Sequence, residues 1–441
     1  MPSWPRSIAS VFPPQPPSAD GQAVAHVASR FGRLTLSRQV FAPVGEQPHC
    51  MPGNAVLPAH QGLIITRGLQ EVACLLPQDL PFAPVARLLG WQTQSDQVLA
   101  DTTIRSLVRT HGQIIRQAEQ AEVAALLSHP DLATLTPQLV PATQPRRRAG
   151  WPPELSEAVD AALIAGEADP PLGVSQADWE RVLHARHQDA SLTVAALRQL
   201  GPEVQPDQTL VSTDEVLTRA VAGRRFWEIR TARVATPQGT RYLSGTGAAL
   251  LRQLLVLILI CAVRWPAVLV VADGARWIRA WCAELGRRIP TSALLLDWWH
   301  LRKRCAELAS MVCRGRKAKA QLLRQVYRHL WQGEVPAALV VLEAYRPQAR
   351  DAGRLEEWIS YLHHRAPYIP DYRRRRREQL YIGSGPVEKV NDVLVARRQK
   401  GAGMRWQEST SDALAALRTL MLNGGWDRYW LHRQVLPLVA T

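Results

Sequence analysis

Residues 267–277 read AVLVVADGARW. Six apolar residues without a polar break, bounded by Trp265-Pro266 and an Asp-Gly pair, describe a strand buried on both faces, as in a parallel sheet. The run delivers Asp273 to the strand's C-terminal end. Asp-Gly is also a common turn pair, but a buried strand running straight into an acid favours a ligand role for the carboxylate. Upstream, TLVSTDEVL (209–217), RFWEIRTARVAT (225–236) and RYLSG (241–245) read as three strands, the last two joined by Pro237-Gln238-Gly239. The first places Asp214 near its end. Its other reading is a surface turn residue, with Asp207 and Glu215 as weaker substitutes.

Between these groups lies an unusually apolar helix, Ala248 to Val263. Downstream, RWIRAWCAELGRRI (276–289) is a helix, and SALLLD (292–297) is a strand ending in Asp297. The order β-β-β-α-β-α-β, three antiparallel strands and then parallel strands wound through helices, predicts an RNase H-like α/β core with a mixed sheet. Chemistry in such sheets gathers at strand ends. A basic helical insertion over 301–378 interrupts the core, which resumes over 379–432 with a helix opening near Pro386 and carrying Glu388.

The segments before the core, 206–300 in its first part, are less regular. Residues 1–65 are expected to form an irregular arm with one strand-like stretch, RLTLSRQVFA. Residues 66–136 predict a helical domain: patches at Gly68–Leu76 and Pro81–Gly90, then sustained 3.6-residue spacing through VLADTTIRSLVRTHGQIIRQAEQAEVAALL. Helix, turn and a helix carrying Arg105 and Arg109 fit a helix-turn-helix DNA reader, as they fit many helix pairs that bind nothing. Residues 137–205 read as a Pro- and Arg-rich linker and a helix from Asp178 to Leu200.

Charge points to a polyanion. The chain has 441 residues and a formal net charge of +15. Only five of its 53 cations are lysine, and arginine suits bidentate phosphate recognition. A GC-rich genome would also favour arginine, yet it would not explain placement: Leu301 to Leu380 holds 18 Lys/Arg against 8 Asp/Glu. Such a block, with its run Arg373, Arg374, Arg375, Arg376 and Arg377, tracks a nucleic-acid backbone. Attraction to a membrane surface is the weaker reading, because no lipidation signal or amphipathic anchor accompanies it. The six cysteines form no paired spacing, so reduced thiols, no structural zinc and a cytoplasmic, nucleoid-associated protein are expected.

Acids aimed from strand ends inside a basic chain suit divalent cations. Asp214, Asp273 and Glu388 are the candidate catalytic and metal-binding residues, with two Mg²⁺ ions (or Mn²⁺) about 4 Å apart holding the attacking and leaving oxygens of a phosphodiester. Asp297 competes for the third position. Lys389, Arg397, Arg398, Lys400 and Arg405 follow Glu388 and are candidates for flanking phosphates. Trp298, Trp299, Trp406, Trp426 and Trp430 read as core or as stacking surfaces for an unpaired base.

The motifs ADGARWI, LDWWHLRK, IGSGPVEKVNDVLVARRQKGAGMRWQES and LRTLMLNGGWDRYW, in this order, resemble the DDE transposases of bacterial insertion sequences, in the Mutator-related ISKra branch. The likeness covers roughly Leu210 to Trp430. It implies a metal-dependent DNA nuclease and strand transferase acting on terminal inverted repeats and target DNA, as a homodimer on DNA. It implies the triad Asp214, Asp273 and Glu388, and an accessory pair, Asp297 and His300, from DWWH. The sequence departs from the family at Lys389, where relatives often carry Ser, and in lacking a Cys-rich knuckle near His49-Cys50. An inactive or domesticated DNA-binding protein of the same fold is the alternative.

Overall fold

A computed structural model describes residues 19–41, 59–95, 97–140, 204–378 and 380–440, with 170, 173–176 and 179. The chain divides into two compact units. One comprises Met1–Arg116, Gln407–Arg418 and Trp426–Gln434, and the other Gln117–Trp406, Thr419–Gly425 and Val435–Thr441. Among the described residues no helix is long and apolar enough to cross a membrane. The expected helix at Asp178–Leu200, apart from Trp179, and Cys50 lie outside the described residues.

In the first unit, β1 (Ala19–Ser29) and β2 (Gly32–Phe41) form a hairpin. With β3 (Ala59–His60) and β4 (Leu63–Ile65) they make a four-stranded mixed sheet ordered β2-β1-β4-β3. Within the arm expected over 1–65 the strand-like stretch RLTLSRQVFA is β2, whereas β1, β3 and β4 are strands where irregular chain was expected. The reason is visible in β1, where Ala25, Val27 and Ser29 alternate inward; two of these three are small, which leaves little hydrophobic signal. Then come α1 (Arg67–Leu75), capped by the Thr66 side chain, α2 (Phe82–Gln92) and α3 (Asp101–Leu127). Ile104, Leu107, Val108 and Ile115 bury one stripe of α3. Gly112 lets α3 approach Ala413 closely, since a Cβ there would stand 2.4 Å from Ala413. The unit boundary falls within α3.

The second unit is built on a five-stranded sheet. Its strands are β5 (Gln208–Arg219), β6 (Phe226–Thr236), β7 (Gly239–Gly245), β8 (Ala267–Ala272) and β9 (Ala293–Leu296), in the spatial order β7-β6-β5-β8-β9. β5, β6 and β7 are antiparallel, whereas β5, β8 and β9 run parallel. α4 (Gly247–Ala262) and α5 (Arg276–Arg288) provide the crossovers. The strands and helices thus follow the order read from the sequence.

Side chains along β8 explain the layering. Val268 and Val270 join a core with Leu254, Leu257 and Ile258 of α4. Leu269 and Val271 face the opposite core, shared with the helical insertion. The insertion comprises α6 (Trp298–Val312), α7 (Arg316–Trp331), α8 (Val335–Ala344), α9 (Ala352–Arg365) and α10 (Tyr372–Arg377). The apolar character of α4 also has a cause: beyond its sheet face, Leu132, Leu135, Leu438 and Val439 pack on the same core. After the insertion come α11 (Gly385–Asn391), a π-helical turn over 392–396, α12 (Glu408–Leu422) and α13 (Trp426–His432).

Candidate active site

The sheet register sets the acids side by side. Ser212 pairs with Val271, and Ala272 pairs with Leu296. Two residues past the first pair stand Asp214 and Asp273; one residue past the second stand Asp273 and Asp297. Three neighbouring strands thereby carry an acid at matching positions. Asp214 was expected near a strand end, but it lies within β5, which continues to Arg219 because antiparallel β6 accompanies it. The parallel pairing to β8 stops at Ser212, so Asp214 sits where its parallel neighbour has ended.

Asp214 is held from two sides. Its Oδ1 accepts the Glu215 backbone N–H at 2.8 Å, and its Oδ2 accepts the Asn391 side-chain amide at 2.6 Å. Asn391 Oδ1 in turn accepts the Thr231 hydroxyl. Burial pushes the Asp214 pKa up to about 6; the Glu215 N–H opposes it, Asp273 reinforces it and His300 opposes it. Asp273 Oδ1 accepts the Ala275 N–H at 2.8 Å, and Gly274 takes a φ of +72°.

Asp297 is fully buried. Its Oδ1 caps α6 by accepting the N–H of Trp299 at 2.6 Å and of His300 at 3.1 Å. Its Oδ2 accepts the Ser384 N–H and, at 2.5 Å, the Ser384 hydroxyl. Burial alone would raise its pKa, but the bonds from His300 and Ser384 outweigh that and the net direction is down. His300 bridges onward, with Nδ1 3.6 Å from Asp297 Oδ2 and Nε2 3.8 Å from Glu388 Oε1. Its interaction with the Asp297 side chain lifts its pKa to about 9 against the opposing effect of burial, and Glu388 and Asp273 add to the rise. At neutral pH His300 is an imidazolium among carboxylates.

Ligand atoms of Asp297, His300 and Glu388 lie within 4.8 Å of one another, and among the described residues this is the set of at least three such groups so arranged. The expected grouping of Asp214, Asp273 and Glu388 does not form such a set by itself. The helix start at Asp297 turns His300 toward Glu388, so the accessory pair links Glu388 to the strand-end acids.

The basic candidates divide by partner. In the first unit, Arg105 lies 3.4 Å from Asp101 and over the Phe82 ring, while Arg109 reaches the Gln407 side chain at 3.4 Å. In the second, Arg374 pairs with Glu378 and Arg375 donates to the Tyr381 carbonyl. Lys389 and Arg397 both reach Asp392. Arg398, expected at a DNA surface, is buried against the Trp406 ring. Arg373, Arg376, Arg377, Lys400 and Arg405 form no ion pair among the described residues, and so retain the charge a phosphate needs.

The tryptophans also separate. Trp298 is core, packed on Trp331 and Tyr372, and Trp406 is buried with its indole N–H on the Gln399 carbonyl. In the first unit Trp426 donates to Glu71, and Trp430 packs on His111. Trp299 is 55% exposed and lines an open pocket of about 200 Å³ with Trp298, Arg302, Trp331, Arg376 and Ile382. Gly383 makes room for it, since a Cβ there would stand 2.9 Å from the Trp299 ring. Sequence reading missed Asn391, Thr231 and Ser384. Only Asn391 carried a signal, since three positions past Glu388 on a helix is a neighbouring site.

A scan against protein-family models and a search of curated proteins each found no match to this chain.

Proposed function

We propose that the chain is a DDE transposase of an insertion sequence, a metal-dependent enzyme that hydrolyses DNA phosphodiesters and transfers strands, built on an RNase H-like core. One observation carries this reading: parallel strands β5, β8 and β9 present Asp214, Asp273 and Asp297 at matching register, and α11 brings Glu388 to His300 and Asp297. The sheet order and the helical insertion before Glu388 agree with it.

The donor set suits a hard cation. Asp214, Asp273 and Glu388 offer carboxylate oxygens, each with lone pairs beyond those engaged by single N–H donors, and Glu388 is 53% exposed. Asp297 is the poorer ligand, since each of its oxygens already accepts two hydrogen bonds. Asp214, Asp273 and Glu388 would therefore hold Mg²⁺ or Mn²⁺, which when bound supplies an activated water and neutralises charge on the leaving oxygen. The protein's own part is positional. Asn391 fixes the plane of the Asp214 carboxylate, the Ala275 amide fixes that of Asp273, and His300 offers a positive N–H beside Glu388 for a phosphate oxygen. Two copies on paired DNA ends complete the proposal.

The test is nicking of a duplex carrying the element's end. Wild type is expected to cut with Mg²⁺ and not with EDTA, and Asp273→Asn to be inactive; full activity in that variant would overturn the assignment. The second reading, a DNA-binding protein without catalysis, draws on the His300 imidazolium, which already balances part of the acidic charge. It predicts binding unaffected by Mg²⁺ and no cleavage.

A further inference from the structure

We infer that Arg279 and Arg365 together seat one backbone phosphate of DNA beside Asp273. This deepens the function proposed above and rests on it for the identity of the polyanion. The two side chains come from different layers. Arg279 belongs to α5, the crossover after β8, and its Nε donates to the Gly274 carbonyl at 3.2 Å. Arg365 is the last residue of α9, inside the helical insertion. Its guanidinium lies over the Tyr361 ring, 4.1 Å from the centroid, which fixes the direction of its fork. Its Nε stands 3.9 Å from the point a Cβ on Gly274 would occupy. Both arginines address the residue that follows Asp273.

Asp273 offsets part of the Arg365 charge from beyond ion-pair distance. Among the described residues neither arginine forms an ion pair with a carboxylate, whereas nearby Arg304 is tied to Glu307 and Glu357. The Nε of Arg365 is buried and has no hydrogen-bond partner, and an unmade bond at a buried donor costs about 1–3 kcal/mol. Burial lowers the Arg365 pKa and Arg279 and Arg304 push it the same way, while Tyr361 and Asp273 oppose them; the guanidinium stays charged. Two like charges converge on one turn, and Asp273 offsets them only in part, so a further anion is favoured there. The start of the 13-residue α5, at Arg276, adds the positive end of a helix dipole to the same turn. A phosphate, with several acceptor oxygens, matches the terminal N–H groups of the two guanidinium forks. The insertion thus supplies the sheet edge with a cation that the core alone does not possess.

The test is salt-dependent binding of an element-end duplex to the full chain in EDTA, where no cutting occurs. Arg279→Ala and Arg365→Ala are each expected to reduce the slope of log affinity against log salt by about one, the signature of one lost phosphate contact. Arg365→Lys should keep the slope and bind several-fold more weakly, because an ammonium keeps the charge without the fork. Arg287→Ala, an exposed arginine of α5 paired with Glu284, should behave as wild type. Slopes unchanged in both alanine variants, or lowered equally by Arg287→Ala, would overturn the seat. If thermal melting shows Arg365→Ala to be misfolded, Arg279→Ala and Arg365→Lys decide alone. Lowered slopes in a wild type that never nicks would keep the seat and sink the nuclease; nicking with unchanged slopes would do the reverse.

Discussion

Replacing Asp297 by alanine should be among the most damaging single changes near the site, and its cost can be worked from the bonds it makes. The carboxylate caps α6 through two backbone N–H groups, and loss of a cap costs about 1 kcal/mol. It is also an acceptor for the Ser384 N–H and hydroxyl, and Ser384 is buried. Leaving a buried amide unpaired costs about 1–3 kcal/mol, so the total is roughly 2–4 kcal/mol. Asparagine is no safe substitute, because its NH₂ would face the Ser384 donors or its oxygen would abandon the cap. Urea denaturation in EDTA measures the loss, and imidazole NMR follows His300 in the same samples. His300 is raised from 6.5 to about 9, so its contribution to stability is complete below 6.5 and is lost as pH rises through 9. In Asp297→Ala that alkaline decline should largely vanish and His300 should titrate nearer 6.5. A stability loss under about 1 kcal/mol, with His300 still titrating near 9, would refute the reasoning.

Glu388→Gln should abolish nicking as fully as Asp273→Asn while leaving the urea midpoint near wild type, since Glu388 is half exposed; Asp297→Asn should lower both, and single-turnover assays beside denaturation curves separate the cases. Gly274→Ala should destabilise by roughly 1–3 kcal/mol, because φ is +72° and the new Cβ would stand 2.8 Å from Leu296 Cδ1; a midpoint equal to wild type would count against this backbone. In the first unit, His111 is buried between Tyr429 and Gln70, and burial lowers its pKa to about 3. Its neutral form is the folded one, so stability is complete above 6.5 and falls as pH drops from there toward 3. His111→Gln should flatten that acid decline, as read by melting between pH 7 and 4.

The sheet was legible because its strands announce themselves. AVLVVA is unbroken and apolar, and the strands before it are rich in β-branched and aromatic residues; the helix over 248–263 and Pro386 fixed the rest within a residue or two. β1 escaped because Ala and Ser carry its buried face. The acids were found by their place after strands, a one-dimensional signal that register turns into neighbours. What the chain could not reveal was commitment: whether a carboxylate or guanidinium is free or already spent depends on contacts far away in sequence. Asp297 is spent on Ser384, Arg398 on Trp406, and Arg375 on the Tyr381 carbonyl. The same long-range contacts hid Asn391, which a helix turn alone could only suggest.

The helical insertion leaves and rejoins the core at one stitched point. Trp298 N–H donates to the Ile382 carbonyl at 3.0 Å, Asp297 accepts from Ser384, and the Tyr372 hydroxyl reaches the Leu296 carbonyl at 2.6 Å. With both ends clasped, the excursion between them behaves as a detachable cartridge whose length scarcely affects the strain on the sheet, because closure entropy grows only logarithmically with loop size. Evolution is therefore free to lengthen, trim or exchange the α7–α8 portion without disturbing the sheet. If the proposed phosphate seat holds, the constraint falls on α9, whose terminal Arg365 reaches the turn after β8.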